Sequence, residues 1–230
     1  MRDKTLEIIP TCVPRSAADL AQSAHAISSF SSSIHIDIVD GIFAPSYTWP
    51  YTKNGVFEDF DLSSVSGLSA EIHLMVEEPR EIGLQFARAG ASRILGHVEA
   101  FDSENDAHSA LYAWRRSDVR EVGLGILMGT PLEVLEHHML IVDVVHVMTI
   151  ASIGKQGIPY DKNAPARVAE FHRHHPEVMI SVDGGVSASN IEELARAGAS
   201  RFCVGSAIVK AADPAKEYAR LKTLAQKAIE

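Results

Sequence analysis

The segment Ala87-Arg88-Ala89-Gly90-Ala91-Ser92-Arg93 recurs without a change as Ala195-Arg196-Ala197-Gly198-Ala199-Ser200-Arg201. Each copy joins the end of a predicted helix, closed by a glycine, to a short apolar run that predicts a strand. Two half-barrels of four βα units each would place a repeat in this register. One favourable helix end used twice explains it equally well, so the repeat supports a closed barrel rather than proving one.

Outward from these two copies, the chain alternates between strand patterns and helix patterns. Apolar runs rich in β-branched residues predict eight strands, at 6–11, 34–38, 70–75, 93–97, 121–127, 142–148, 178–182 and 201–204. Amphipathic segments predict helices that include 16–29, 79–89, 105–116, 131–138, 161–174, 187–197 and 214–228. Repeated βα units build a parallel sheet, and 230 residues are a common length for a one-domain α/β barrel. We therefore predict a single (β/α)8 TIM barrel domain over residues 1–230.

Composition and charge exclude several classes of function. The formal net charge is −9 and Lys and Arg form no cluster, which argues against a nucleic-acid partner. No N-terminal segment has the order of a signal peptide, and no apolar run is long enough to span a bilayer. Cys12 and Cys203 are the only cysteines and form no CxxC pair. We expect a cytoplasmic protein without membrane contact or a disulfide framework.

Two histidines and two aspartates lie at or near the ends of three predicted strands. His35 and Asp37 are two residues apart on one strand, so their side chains point to the same face. His73 and Asp183 belong to the ends of similar apolar runs. Imidazoles together with carboxylates suit zinc, iron, manganese or cobalt, so the four residues predict a site for one divalent metal ion. The alternative for His35 and Asp37 is a buried ion pair.

Two further histidines, His97 and His146, also fall on predicted strands. A single buried histidine is more often a core residue with satisfied hydrogen bonds than a metal ligand. We therefore leave both outside the predicted metal site.

The last two predicted strands are each followed by a glycine-bearing turn, Gly184-Gly185 and Gly205-Ser206. In a (β/α)8 barrel the reactive groups lie at the carboxyl ends of the strands, and phosphate commonly binds after strands seven and eight. Exposed backbone N–H groups at a helix start favour an anion there. These turns therefore predict a phosphorylated small-molecule substrate.

Several motifs occur in a fixed order along nearly the whole chain. They are His35-Ile-Asp37-Ile-Val-Asp40-Gly41-Ile-Phe43-Ala-Pro45, His73-Leu-Met75-Val76, His97-Val-Glu99, Met148-Thr149, Val182-Asp183-Gly184-Gly185-Val186 with Asn190, and Val204-Gly205-Ser206-Ala207-Ile208. In order and spacing they resemble the motifs of the ribulose-phosphate 3-epimerase family. Such a set is far more specific than any one motif.

The resemblance implies a (β/α)8 barrel in which His35, Asp37, His73 and Asp183 hold one divalent metal ion. It implies that Asp37 and Asp183 are the catalytic acid/base pair and act on opposite faces of the substrate. The expected reaction is 3-epimerisation of D-ribulose 5-phosphate to D-xylulose 5-phosphate, through an enediolate that the metal stabilises. Members of the family are usually dimers or larger, so a homo-oligomer is also implied.

The resemblance also implies further contacts with the sugar phosphate. Thr11 stands where the family has a serine, and Gly154 lies in the loop that the family uses as a lid over the phosphate. His73 is expected beside the substrate as well as the metal, together with Gly184, Gly185, Gly205 and Ser206. Met75 and Met148 are expected to form apolar walls over the intermediate. Ordinary core methionines are an equally good explanation.

The chain departs from the family's pattern in the loops expected to face the substrate. Loop 151–157 lacks the family's N-P-G start, Pro14 and Ser46 stand where the family has a serine and an asparagine, and the fifth strand ends without an asparagine. Lys155 in loop 151–157 either contacts the phosphate or is merely solvated. These changes leave two alternatives open: an epimerase for another ketose phosphate, such as a ketohexose 6-phosphate, or a non-catalytic barrel that binds a sugar phosphate.

Overall fold

The computed structural model describes residues 6–154 and 158–230, and its centre is a closed barrel of eight parallel strands. In chain order the barrel strands are β1 (Glu7–Cys12), β2 (Ser33–Val39), β5 (Ser69–Met75), β6 (Arg93–His97), β7 (Glu121–Ile126), β8 (Val144–Met148), β9 (Met179–Asp183) and β10 (Arg201–Val204). Each strand pairs with the next along the chain, and β10 closes the barrel against β1. This confirms the predicted (β/α)8 TIM barrel and its eight strands.

Seven α-helices connect the strands in the described residues, and local sequence sets their ends. They are α1 (Ala17–Ile27), α2 (Pro79–Arg88), α3 (Glu104–Arg115), α4 (Ala164–His174), α5 (Ile191–Ala197), α6 (Ser206–Val209) and α7 (Pro214–Lys227). The side chains of Ser16, Ser103 and Asp213 accept backbone N–H bonds at the starts of α1, α3 and α7. Gly198 ends α5 in the left-handed conformation, with φ +116°.

Several segments differ from the sequence prediction. The helix predicted at 131–138 is a 3-10 helix, Leu132–His138, and no side chain in the described part of the chain caps its start to fix a first α-turn. The long stretch after β2 contains an unpredicted hairpin, β3 (Tyr51–Lys53) and β4 (Val56–Phe57). Its turn is Asn54-Gly55, a strong hairpin signal, with Gly55 at φ +68°. The four-residue helix α6 was also not predicted.

Charged side chains fill the amino-terminal end of the barrel interior. Arg201 donates to Glu7, Glu71 and Glu121, at N···O distances of 3.0, 3.0 and 2.6 Å. Arg93 approaches the same three glutamates from the opposite side of the barrel, at 3.0, 3.7 and 3.4 Å. We call these five residues the charged floor. Both arginines are the last residue of a copy of the repeated segment, so the repeat ends inside the barrel.

A small apolar cluster lies at the other end of the barrel. It consists of Val39, Ala44, Met75, Met148 and Ile153, all buried, and is separate from the main core between strands and helices. Its members come from the ends of β2, β5 and β8 and from the loops after β2 and β8. The charged floor and this apolar cluster therefore enclose the polar middle of the barrel from below and above.

Within the described residues, no helix is both long enough and apolar enough to cross a membrane.

Candidate active site

The structure brings together the four residues singled out in the sequence. His35 and Asp37 lie on β2, His73 lies on β5 directly opposite Asp37, and Asp183 is the last residue of β9. Alternation along the strands turns all four side chains into the barrel. The imidazoles are fully buried, whereas the aspartate side chains retain 12% and 13% of their exposure, so the carboxylates face the open end.

The ligand atoms of His35, His73 and Asp183 all lie within 4.8 Å of one another, and Asp37 approaches the two imidazoles. His35 Nε2 lies 3.3 Å from His73 Nδ1, and Asp37 Oδ1 lies 3.2 and 3.0 Å from these two nitrogens. Asp183 Oδ2 lies 3.8 Å from His73 Nδ1. Ligands about 2.1 Å from a tetrahedral metal are separated by about 3.4 Å. These spacings are compatible with one divalent ion between the imidazoles and the carboxylates.

Two histidines that the sequence analysis set aside belong to the same cluster. His146 on β8 is fully buried, and its ligand atom lies within 4.8 Å of those of His35, His73 and Asp183. His97 on β6 places its Nε2 2.9 Å from His73 Nε2. The missed signal was strand parity, because His146 lies two residues before Met148 and so shares its interior face.

Hydrogen bonds assign the tautomer of His73. Glu99 Oε2 lies 3.2 Å from His97 Nδ1, and a carboxylate can only accept, so Nδ1 of His97 carries the proton. His97 Nε2 is then the acceptor for His73 Nε2–H. His73 Nδ1 is left with a lone pair that faces Asp37 Oδ1 at 3.0 Å. Two lone pairs at this distance repel each other unless a cation lies between them, which supports a metal ion at this position.

Glu71 orients His35 in the way that His97 orients His73. Its Oε1 lies 2.8 Å from His35 Nδ1, which directs His35 Nε2 at the aspartates. Burial raises the pKa of Glu71, but the charge of Arg201 and the contact with His35 outweigh it and hold the pKa well below its usual range. Glu71 is therefore a buried carboxylate, held by the charged floor and aimed at a histidine of the site.

Cys203 lies beside this pair without matching a metal ligand. Its Sγ is 3.2 Å from His35 Nδ1 and 3.6 Å from Glu71 Oε1. Burial raises the pKa of the thiol to about 12, so the sulfur keeps its proton, whereas metals bind the thiolate. His35 Nδ1 is also already committed to Glu71.

The two aspartates have pKa values that the site moves apart. Burial raises the pKa of Asp183 to about 6, and the neighbouring Asp37 carboxylate adds to the rise. Burial acts in the same direction on Asp37, but its contacts with the imidazoles of His35 and His73 outweigh it and hold its pKa below the usual range. In the metal-free protein near neutral pH, Asp37 is ionised and Asp183 titrates just below neutrality.

The imidazoles also differ from one another. Burial lowers the pKa of His73 and of His146 to about 3, and a second histidine beside each adds to the effect. Burial also acts to lower the pKa of His35, but its contacts with the carboxylates of Asp37 and Glu71 raise it well above its ordinary value. His73 and His146 are thus neutral and ready to donate a lone pair, whereas His35 holds a proton that a metal would displace.

Residues predicted to bind the sugar phosphate surround the open end. Gly184 and Gly185 follow β9 with φ +109° and +68°, and Thr149 donates to the carbonyls of Asp183 and Gly184. Thr11, the residue before the last of β1, lies next to Gly205, where an added Cβ would lie 3.6 Å from the Thr11 side chain. The buried Thr11 hydroxyl has no hydrogen-bond partner among the described residues. Ser206 follows as the first residue of α6.

The loops after β2 and β8 meet above the site. Gly154 packs on Ala44 and Pro45, where an added Cβ would lie 2.6 and 3.3 Å from them, and its carbonyl accepts from Ser46. Met75 and Met148, the predicted pocket walls, lie in the apolar cluster beneath these loops. The prediction for Lys155 falls outside the described residues.

Comparison with known proteins identifies the family. The sequence matches the model of the Ribulose-phosphate 3 epimerase family over residues 7–209. The chain belongs to this family. The ribulose-phosphate 3-epimerase of Rhodobacter capsulatus is 30% identical over 210 residues, 90% of this chain and 88% of the relative. That of Mycobacterium leprae is 29% identical over 225 residues, 94% and 93% of the two chains. The resemblance seen in the sequence is confirmed, and the ribulose-phosphate 3-epimerase-like chain is an isomerase, an epimerase acting on carbohydrates.

Solved structures with similar backbones agree on the fold. A 3-hexulose-6-phosphate synthase matches with a TM-score of 0.63 and 18% identity, over 95% of this chain and 99% of the other. The protein named KGPDC from Streptococcus mutans matches with a TM-score of 0.67 and 11% identity, over 98% and 100%. At these identities the likeness shows the barrel architecture alone.

Proposed function

We propose that this chain catalyses the metal-dependent 3-epimerisation of a ketose phosphate, D-ribulose 5-phosphate to D-xylulose 5-phosphate, with Asp37 and Asp183 as its two acid/base groups. One observation carries the proposal. Two carboxylates from separate strands, β2 and β9, approach the same nitrogen, His73 Nδ1, at 3.0 and 3.8 Å. Epimerisation needs two such groups, because the proton leaves one face of the carbon and returns to the other.

His35, Asp37, His73 and Asp183 would hold one divalent ion, of zinc, iron, manganese or cobalt. The donor set supports this assignment, since His73 Nδ1 presents an unshared lone pair and His35 Nε2 would present one once a metal displaces its proton. When bound, the ion would supply Lewis-acid stabilisation of the negative charge that develops on the substrate's oxygens.

The chain's own residues would move the proton. One aspartate takes the C3 proton, and the other gives a proton to the opposite face; the separate pKa values of Asp37 and Asp183 support distinct acid and base roles. Met75 and Met148 would exclude water from the reacting carbon, because they are buried in the apolar cluster at this end. The phosphate would bind at Thr11, Gly184, Gly185, Gly205 and Ser206, with Gly154 in the loop above.

Solvent exchange tests the proposed function. The protein is incubated with ribulose 5-phosphate in deuterium oxide, with metal and after chelation, and deuterium at C3 is followed by NMR. We expect incorporation at C3 together with xylulose 5-phosphate, and loss of both after chelation. Exchange that survives complete removal of metal would overturn the metal dependence.

The altered loops favour a second candidate substrate. Pro14 and Ser46 change two positions near the site relative to the family's pattern, and Ser46 contacts the loop after β8. Changes at the surface that would face the substrate fit an epimerase for another ketose phosphate, such as a ketohexose 6-phosphate. Exchange with that sugar and none with ribulose 5-phosphate would select this candidate. Binding of both sugars without exchange would indicate a non-catalytic barrel.

A further inference from the structure

His146 has one ring nitrogen for which the fold supplies no partner. The residue lies on β8 and is fully buried. Its Nδ1 is 3.0 Å from Ser181 Oγ on the neighbouring strand, whereas its Nε2 has no hydrogen-bond partner among the described residues. A buried polar atom without a hydrogen-bond partner lowers the stability of the fold and is rare in native proteins. We therefore expect this nitrogen to bind a ligand.

The unpartnered nitrogen is directed at the proposed metal site. It lies 3.9 Å from Asp183 Oδ2, and the His146 ring packs 4.6 Å from the ring of His73 and 5.4 Å from that of His35. The ligand atoms of these four residues lie within 4.8 Å of one another. Two ligands about 2.1 Å from one metal lie about 3 Å apart at a right angle and about 4.2 Å apart when opposite. A small rotation of the His146 side chain would therefore bring its Nε2 to the position of a metal ligand.

His97 provides the contrast within the same cluster. Its Nε2 lies 2.9 Å from His73 Nε2 and its Nδ1 lies 3.2 Å from Glu99, so both nitrogens already have partners. His97 orients a ligand, whereas His146 offers one.

We propose that His146 is a direct ligand of the metal, so that three imidazoles rather than two hold the ion together with aspartate. This inference rests on the metal site of the proposed function and extends it. A third imidazole shifts the preference of the site toward zinc, cobalt and iron, and away from manganese and magnesium, which favour oxygen-rich shells.

X-ray absorption at the zinc edge tests the inference on the unaltered protein. The purified chain is stripped of metal and loaded with one equivalent of zinc alone, and the imidazoles around the ion are counted from their multiple-scattering signal. We expect three, and two would overturn the proposal. Failure to bind zinc at all would overturn it as well.

Cobalt titration of variants gives a second readout. His146→Leu should lower cobalt affinity on the order of 100-fold or more and change the intensity of the visible cobalt bands, since a ligand is lost. The matched control is His138→Leu, another fully buried histidine with unpartnered ring nitrogens, which lies on the 3-10 helix Leu132–His138 outside the cluster. Affinity and spectrum unchanged in His146→Leu would contradict the proposal.

Activity separates this inference from the proposed function. Three imidazoles counted in a protein that exchanges no sugar proton would support the ligand and refute the epimerase proposal. Two imidazoles in a protein that epimerises ribulose 5-phosphate would refute His146 as a ligand and support the epimerase proposal.

Discussion

At the scale of single residues, the site depends on which nitrogen of each imidazole carries a proton. Glu71 fixes His35 and the pair His97–Glu99 fixes His73, so that His35 Nε2 and His73 Nδ1 both point at the aspartates. The sequence predicted His35, Asp37, His73 and Asp183 as a group because strand alternation and strand ends are visible in it. It did not predict His146 or Glu71, because their importance depends on which strands become neighbours in the closed barrel.

Glu71→Gln should weaken metal binding by about 10-fold or more, because a neutral amide holds the His35 tautomer less firmly than a carboxylate. Zinc affinity by competition with a chromophoric chelator measures the effect. Glu7→Gln is the matched control, since Glu7 belongs to the same charged floor but does not contact His35. Equal losses in the two variants would show that the floor, and not the contact with His35, matters.

Metal uptake should release more protons at pH 5.5 than at pH 7.5. Asp183, with a pKa near 6, is largely protonated at the lower pH and must lose its proton to bind a metal, whereas at the higher pH it is already ionised. His35 has a raised pKa and releases its proton at both values. Calorimetry in buffers of different ionisation enthalpy counts these protons. An equal count at the two pH values would contradict this assignment.

At the scale of elements, the two copies of the repeated segment differ in what surrounds them. Both have a glycine with positive φ, +100° at Gly90 and +116° at Gly198. An added Cβ at Gly90 meets no atom of residues 6–154 or 158–230 within 4 Å, whereas at Gly198 it would lie 2.4 Å from the His172 ring. The sequence predicted both glycine helix ends, but identical letters could not reveal that only one is closely packed.

Gly90→Ala should therefore lower the free energy of unfolding by about 1–2 kcal/mol, the cost of placing alanine in the left-handed region. Gly198→Ala carries the same cost and must also displace His172, so we expect it to be clearly less stable than Gly90→Ala. Urea unfolding followed by circular dichroism compares the two. Equal decreases in the free energy of unfolding would mean that the His172 side chain moves aside at no cost.

At the scale of the whole molecule, the barrel separates a charged floor from a reactive mouth and joins them through Glu71. The alternating pattern predicted the eight strands and their order, since parallel βα units leave few other topologies. The charged floor could not be predicted, because its five side chains come from strands far apart in sequence. The loops that differ from the family's pattern lie at the mouth, whereas the four residues predicted to hold the metal lie on the barrel strands.

Arg201→Met should lower the free energy of unfolding by about 3–5 kcal/mol, because it removes from Glu7, Glu71 and Glu121 the buried arginine that contacts all three at 3.0 Å or less. Chemical denaturation measures the loss. Arg220→Met is the control, since Arg220 is 62% exposed and pairs with Glu217 on one helix; its cost should stay below about 1 kcal/mol. A small decrease in the free energy of unfolding of Arg201→Met would show that water solvates the charged floor.

The most direct test of the two-aspartate mechanism is deuterium exchange by Asp37→Asn and Asp183→Asn, each assayed from both C3 epimers with bound metal verified. The aspartate that remains can still exchange the proton on its own face. The account therefore predicts that neither variant epimerises at an appreciable rate, and that each exchanges C3 of one epimer only, a different epimer for each variant. Exchange of both epimers by a single variant, or epimerisation at the rate of the unaltered protein, would contradict it.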